Sequence, residues 1–217
     1  AWAAARGAER CDGPLLLLLN PDTRVEPGAL SCLVEALEER DSAAGAAPAL
    51  VNPDGSSQHR WQLRRLPGPR RLALGLPGAA QFPKAAPDRP RSVEQPAASA
   101  WLIRRRVWDA LGGLDPLFAP AWWEDVDFCA RLESALAERA LMVTEGFITV
   151  PAATVVHSGG SSLDRLEDVE FLAVYFRNLI RYAARHHRRS LAMITSGLRL
   201  SLAARALART SRRSAYL

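Results

Sequence analysis

The sequence predicts an α/β fold: a mostly parallel sheet flanked by helices, with a helical C-terminal tail. Three observations lead there. Leu15 to Leu19 is a continuous apolar run between Pro14 and Asn20, the pattern of a strand buried on both faces in a parallel sheet. Leu30, Leu33, Val34 and Leu37 then recur at helical spacing. Ala46 to Val51 reads as a second strand, closed by the turn Asn52-Pro53-Asp54-Gly55.

The elements follow in order. Residues 1–10 read as the end of an Ala-rich helix and Asp12-Gly13 as a turn. A helix spans roughly 27–40, with Pro27 near its start, where a missing N–H costs nothing. Between Pro67 and Pro90 lie six of the fifteen prolines, so residues 61–92 read as one long irregular loop. Val93 to Ile103 resumes as a strand and Arg104 to Leu111 as a short helix, stopped by Gly112-Gly113. Glu124 opens a helix carrying Phe128, Leu132 and Leu136 on one face. Short strands at 147–150 and 154–156 flank Pro151. A long amphipathic helix begins at Asp164, with Leu172, Tyr175, Phe176 and Leu179 aligned, and a further helix covers roughly 189–209.

Composition narrows the class. Of 217 residues, 48% are hydrophobic and 24% charged, a balance that supports a buried core. Cys11, Cys32 and Cys129 form no C-x-x-C pair, so reduced, cytosolic thiols are expected rather than a zinc knuckle or disulfide framework. The five-leucine run is far below the roughly 20 residues that span a bilayer, and no signal peptide is visible. The chain opens on Ala, directly inside a helix-like stretch, which suggests a preceding segment. Net charge is +5, yet no acidic residue follows Glu170 while ten arginines do. Such a tail suits anionic headgroups, nucleic acid or plain solvent. No aromatic-interleaved basic patch supports nucleic acid.

Three constellations carry chemistry. Asn20-Pro21-Asp22-Thr23 directly follows a strand, where α/β folds place ligands. Two side-chain oxygens at i and i+2 suit Mg²⁺ or Mn²⁺ bridging to a diphosphate, although such a turn is far more often just an Asx-turn or helix cap. Trp122-Trp123-Glu124-Asp125-Val126-Asp127 sets three acids at a helix start. Carboxylates there complement the helix dipole, but tryptophans directly before them mark a binding surface and a route to a desolvated, tuned base. His157-Ser158-Gly159-Gly160 follows a strand; its histidine suits a metal ligand or a structural role.

Taken in order, LNPDT (19–23), the Asp54-Gly55 hairpin, RRRVWDALGGLDPLF (104–118), WEDVDFCARL (123–132), VPAATVVHSGG (150–160) and YFRN (175–178) followed by His186-His187 resemble glycosyltransferase family 2. The likeness is to its rhamnosyltransferase-like and galactofuranosyltransferase-like members and covers roughly residues 1–187. It implies the GT-A fold and inverting transfer of a sugar from a nucleotide-diphosphate donor to a glycan or lipid-linked acceptor in cell-surface polysaccharide synthesis. It implies Asp22 as a divalent-metal ligand, Asn20 where a first acid often stands, and His157 joining the metal or diphosphate. It implies Asp125 as the base that deprotonates the acceptor, Glu124 as the neighbour that orients the acceptor or the base, and Trp122 and Trp123 stacking on a sugar. Gln95, Gly113, Asp115 and Asp127 fall where the acceptor is lined. A dTDP-rhamnose donor is the family-weighted expectation, and 27 arginines against one lysine suggest a GC-rich bacterial genome.

The chain departs from the family in two places. Only 19 residues precede Asn20, so the resemblance implies an absent N-terminal nucleotide-binding segment. The helix after Asp125 also reads about two turns longer than the family's. The expected organisation is a catalytic core over 1–160 and a basic helical extension over 161–217. Peripheral contact at the cytoplasmic face of the plasma membrane, through the arginine tail, completes this reading; a non-catalytic remnant or partner-binding subunit is the alternative.

Overall fold

The computed structural model describes residues 2–159 and 168–208. Helix α1 (Trp2–Ala8) leads into β1 (Leu15–Leu19), β2 (Thr23–Val25), α2 (Ala29–Glu39) and β3 (Ala43–Val51). The proline-rich stretch holds α3 (His59–Gln62), β4 (Leu63–Arg64) and α4 (Pro69–Ala73). Next come β5 (Arg91–Val93), β6 (Gln95–Pro96), β7 (Ala100–Arg104), α5 (Arg105–Leu111) and α6 (Glu124–Ala137). The long strand β8 (Glu145–His157) precedes the C-terminal helices α7 (Asp168–His186) and α8 (Leu191–Ala208). The expected start of α7 at Asp164 and the boundary at 160/161 lie outside the described residues.

The α/β class is as predicted, but the strand polarity is not. The main sheet runs β1-β7-β3-β8-β2, with β5 also on β8. Among the described strands β3 and β8 pair in parallel, while β1–β7, β3–β7, β2–β8 and β5–β8 are antiparallel. The leucine run misled because β1 is an edge strand: Leu16 is buried, whereas Leu17 and Leu19 are 38% and 42% exposed. The expected strand over 93–103 is broken into three, with β6 leaving the main sheet to pair with β4. The two short strands around Pro151 are one strand with a bulge. Pro48 faces Val150 but Ala49 faces Thr154, so the residue that cannot donate to the ladder sits where the ladder is interrupted.

Two layers of helices cover the sheet. On one face Leu33 and Leu37 of α2 pack on Ala43, Ala46, Leu102, Ile148 and Val150. On the other, Trp101, Trp108, Phe128 and Phe147 form an aromatic core under α5 and α6. Trp101 and Phe147 stand 4.5 Å apart, centroid to centroid, within the range where ring geometry adds about 1 kcal/mol to plain burial. The C-terminal helices are part of this body. Leu179, Tyr182, Ala183, Ile194 and Leu198 pack with Leu72, Phe118 and Val126. Several tail arginines act as struts: Arg177 donates to the Ala119 carbonyl, Arg181 to Leu117 and Arg205 to Leu74. No helix among the described residues is long and apolar enough to cross a membrane.

The α6–α7 contact has an ionic centre. The Asp127 side chain is wholly buried and accepts from Arg131 Nε at 2.8 Å, Arg185 Nη1 at 2.9 Å and His186 Nε2 at 2.8 Å. Arg185 also pairs with Asp115 at 2.6 Å. Burial pushes the Asp127 carboxyl upward, but His186, Arg131 and Arg185 outweigh it and hold the group below its ordinary 3.8. A depressed carboxylate stabilises the fold above its unfolded value, and that stability is lost as pH falls through the folded one. Asp127→Asn is expected to lower unfolding stability near neutral pH by about 3 kcal/mol. In urea denaturation the gap from wild type narrows below pH 3.8.

Candidate functional site

Two half-sites form at one end of the fold, and one short segment touches both. The first lies at the C-terminal end of β8. Register between β2 and β8 sets Thr23 opposite His157, which brings Asp22 Oδ2 within 3.5 Å of His157 Nε2. Both side chains are nearly buried, 12% and 8% exposed. Gln58 lies behind the imidazole. Its Nε2 donates to Asn52 Oδ1 and to the His157 carbonyl, so its Oε1 is left to accept from His157 Nδ1 at 3.1 Å. Hydrogen-bond logic thereby places a proton on Nδ1 and turns Nε2 toward the Asp22 carboxylate. A histidine held through one ring nitrogen by an outer partner, with the other beside a carboxylate, is an arrangement that could ligate a cation. The donor set suits Mg²⁺ or Mn²⁺: hard oxygen, one imidazole, and remaining positions for water and phosphate oxygens. Among the described residues no group of three or more His, Cys, Asp or Glu converges on one point. Asn20 is exposed, and its carbonyl accepts from the Thr23 hydroxyl at 2.6 Å; as in an ordinary turn, it ties the loop that presents Asp22. Trp61 lies beside the pair, 44% exposed, with its ring 5.7 Å from the His157 ring.

The second half-site is a cavity of about 80 Å³ lined by Arg64, Pro77, Gly78, Trp122, Trp123, Asp125, Val126 and Tyr175. Its loop is strained. Trp122 and Trp123 both adopt left-handed backbone, φ 64° and 77°, a conformation costing of order 1–3 kcal/mol per residue that is retained only where the surroundings enforce it. The enforcing residue is Asn178 of α7. It is fully buried, and its Nδ2 reaches the carbonyls of Phe118, Ala121 and Trp122 at 2.7, 2.9 and 3.2 Å. Trp122 packs edge-on against Phe171. Trp123 turns inward, 4% exposed, between Tyr175 and Tyr182. The pair therefore forms a wall of the cavity, Trp122 half-buried and Trp123 buried.

Asp125 is held on three sides. Oδ1 accepts from the Val126 amide at 2.8 Å, Oδ2 accepts from Gln95 Nε2 at 3.1 Å, and Arg64 Nη2 stands 3.5 Å from Oδ2. A carboxylate fixed this way retains lone pairs for one further donor in the cavity. Tyr175 is pushed up to about 12, chiefly by burial, so its hydroxyl remains protonated. Glu124 has a different fate. Burial first and the Asp125 charge second raise it from 4.5 to about 7, and its Oε2 is buried without a hydrogen-bond partner among the described residues.

Gly113, Asp115 and Asp127, expected to line the acceptor, are not brought to this cavity. At Gly113 a Cβ would meet the Trp108 ring at 2.7 Å, so its role is close packing. Asp115 caps the short 3₁₀ helix Pro116–Phe118 by accepting from the Leu117 amide at 2.8 Å, and Asp127 is consumed by the ionic centre. The residues that sequence reasoning missed are Gln58, Trp61, Arg64, Tyr175 and Asn178. Tyr175 was visible as a helical-face residue, and Asn178 lies inside the YFRN motif. No local pattern marked Gln58 or Arg64.

No protein-family model matches the chain, and neither does any curated protein. Among solved structures the chain is similar to GalNAc-T7 with UDP, GalNAc and Mn²⁺, at a TM-score of 0.53 and 16% sequence identity. The match takes in 85% of this chain and 36% of that one, so the present chain spans about a third of its length. The fold is accordingly GT-A-like: a mixed sheet between helical layers with a helical C-terminal region.

The raised Glu124 carboxyl yields a test. Between its unfolded value of 4.5 and its folded value of about 7, the native state holds a proton the unfolded chain has lost, so stability falls as pH rises through that window. Across it, wild type is expected to lose about 2 kcal/mol more stability than Glu124→Gln in chemical denaturation. Parallel curves for the two proteins exclude the burial argument.

Proposed function

We propose that this chain transfers a sugar from a nucleoside-diphosphate donor to an acceptor hydroxyl, with Asp125 as the general base. The observation that carries the proposal is the Asp125 carboxylate, oriented by Gln95 and the Val126 amide inside an aromatic-walled cavity. A single displacement at the anomeric carbon needs one base on the acceptor side and charge neutralisation on the leaving side. Asp22 and His157 would hold a divalent cation, which would supply charge neutralisation to the leaving diphosphate. GalNAc-T7 binds UDP and Mn²⁺, and likeness of fold favours the same ligand classes here.

Within this reading each residue has a task. Asp125 takes the acceptor proton. Gln95 fixes the carboxylate so that it need not reorganise as the proton moves. Trp122 and Tyr175 wall the acceptor from water. Gln58 holds His157 in the tautomer that offers Nε2. Inversion follows from a direct displacement with a single base. The finer proposals are a family 2 enzyme of bacterial cell-surface polysaccharide synthesis, with a dTDP-rhamnose donor and a glycan or lipid-linked acceptor. The alternative reading is a non-transferring, partner-binding role.

Two measurements decide. With UDP- and dTDP-sugars, Mn²⁺ and a glycan acceptor panel, nucleoside diphosphate release by the wild-type chain is expected to fall about a thousandfold in Asp125→Asn. Undiminished release by that variant removes Asp125 as the base. By calorimetry the chain is expected to bind UDP with Mn²⁺, and Asp22→Asn to weaken Mn²⁺ binding at least about tenfold. A chain that binds neither nucleotide nor metal fits the non-transferring role instead.

A further inference from the structure

The proline-rich segment that bridges the two half-sites brings in an arginine with unused donor capacity. Strand β4 pairs antiparallel with β6 so that Arg64 faces Gln95, and both side chains converge on Asp125 Oδ2. The Arg64 side chain is only 20% exposed and lies in the cavity wall with Trp122, Trp123 and Tyr175. A guanidinium has five N–H donors, and burying them without acceptors is costly. Yet Arg64 Nε is buried with no hydrogen-bond partner among the described residues. Its 3.5 Å approach to Asp125 is an ion pair too long for a hydrogen bond.

Arginines with structural duties look different in this fold. Arg131 donates to Asp127 and to the carbonyls of Leu111 and Gly113. Arg104 donates to the carbonyls of Ala43 and Leu37. Arg105 reaches Gly13 and Cys11. Arg64 has a comparable degree of burial and, among the described residues, no such set.

We infer that the acceptor bears an anionic group, a carboxylate or a phosphate, close to its reacting hydroxyl, and that Arg64 binds this group. The inference rests on the glycosyl-transfer reading of the cavity. The chemistry is that of a planar fork matched to a two-oxygen acceptor. It also accounts for the placement beside the base. With no anion in the cavity, the nearest partner for Arg64 is Asp125 itself. An anionic acceptor draws the guanidinium onto its own charge and leaves Asp125 free for the hydroxyl. Without Arg64, acceptor anion and Asp125 would repel each other across the cavity. Arg64 is thus a specificity residue.

The test compares anionic and neutral probes of one shape on the full chain with UDP and Mn²⁺ present. Methyl glucuronide is set against methyl glucoside, and glucose 6-phosphate against glucose, by calorimetry or saturation-transfer NMR. Wild type is expected to prefer at least one anionic probe by about tenfold, as a charge-assisted bidentate contact provides. Preference for the glucuronide alone identifies a carboxylate acceptor, and for the sugar phosphate alone a phosphate. Arg64→Gln is expected to abolish the preference while UDP–Mn²⁺ binding is kept, and Arg64→Lys to restore part of it. Equal affinity for charged and neutral probes, no binding of any probe, or a preference that survives Arg64→Gln overturns the inference. In those cases UDP–Mn²⁺ binding that persists leaves the transfer reading standing. Loss of UDP–Mn²⁺ binding by wild type overturns both.

Discussion

Asp127 fixes the rotation of α6, and the rest of the candidate site depends on that rotation. The first turn of the helix bears Glu124, Asp125 and Asp127, three acids that repel one another and attract the same helix dipole. Left to the dipole alone, any of them could face the cavity. Asp127 settles the matter because Arg131, Arg185 and His186 meet it from its own helix and from α7. Two residues along a helix is rather more than half a turn. With Asp127 anchored on α7, Asp125 is turned toward Gln95 and Arg64. The same helix α7 supplies Asn178, which clamps the strained Trp122-Trp123 loop, and Tyr175, which closes the cavity wall. The described C-terminal helices are therefore structural partners of the Asp125 carboxylate, the proposed base.

A second dependency runs through residues 58–64. Gln58 supports His157, and Trp61 lies on the imidazole. Gln62 locks onto β3 through the Leu50 amide and the Pro48 carbonyl. Arg64 reaches Asp125. One turn of helix and two strand residues thus span from the proposed cation site to the proposed base. Gln62 is nearly inaccessible, so its buried hydrogen bonds pin the segment to the sheet. The two half-sites therefore share one rigid reference.

What was legible in the sequence was set by local periodicity and motif order. The α/β class, α2 and α6 follow from short-range patterns, while the association of Asp22 with His157 came only from the family resemblance. Strand polarity did not, because an apolar run looks the same whether it lies in the sheet centre or at its edge; Leu17 and Leu19 face solvent in a strand that reads as buried. Arg64 and Gln58 were invisible because their roles arise from register with distant strands. Asp115 and Asp127 misled in the opposite direction. Acidic residues beside a motif read as ligand groups, while their arginine partner Arg185 lies 70 and 58 residues further along the chain.

The bulge in β8 has a counting consequence. Three residues, Pro151 to Ala153, intervene where β3 supplies none between Pro48 and Ala49. Because strand side chains alternate, an odd insertion resets which face every later residue shows. Parity at a point six residues upstream thus decides whether the imidazole of His157 meets Asp22 or the opposite side of the sheet. Lengthening or shortening that bulge by one residue would swap the face without changing a single residue of either half-site. In that sense the proposed cation site is written as much in the spacing of β8 as in its side chains.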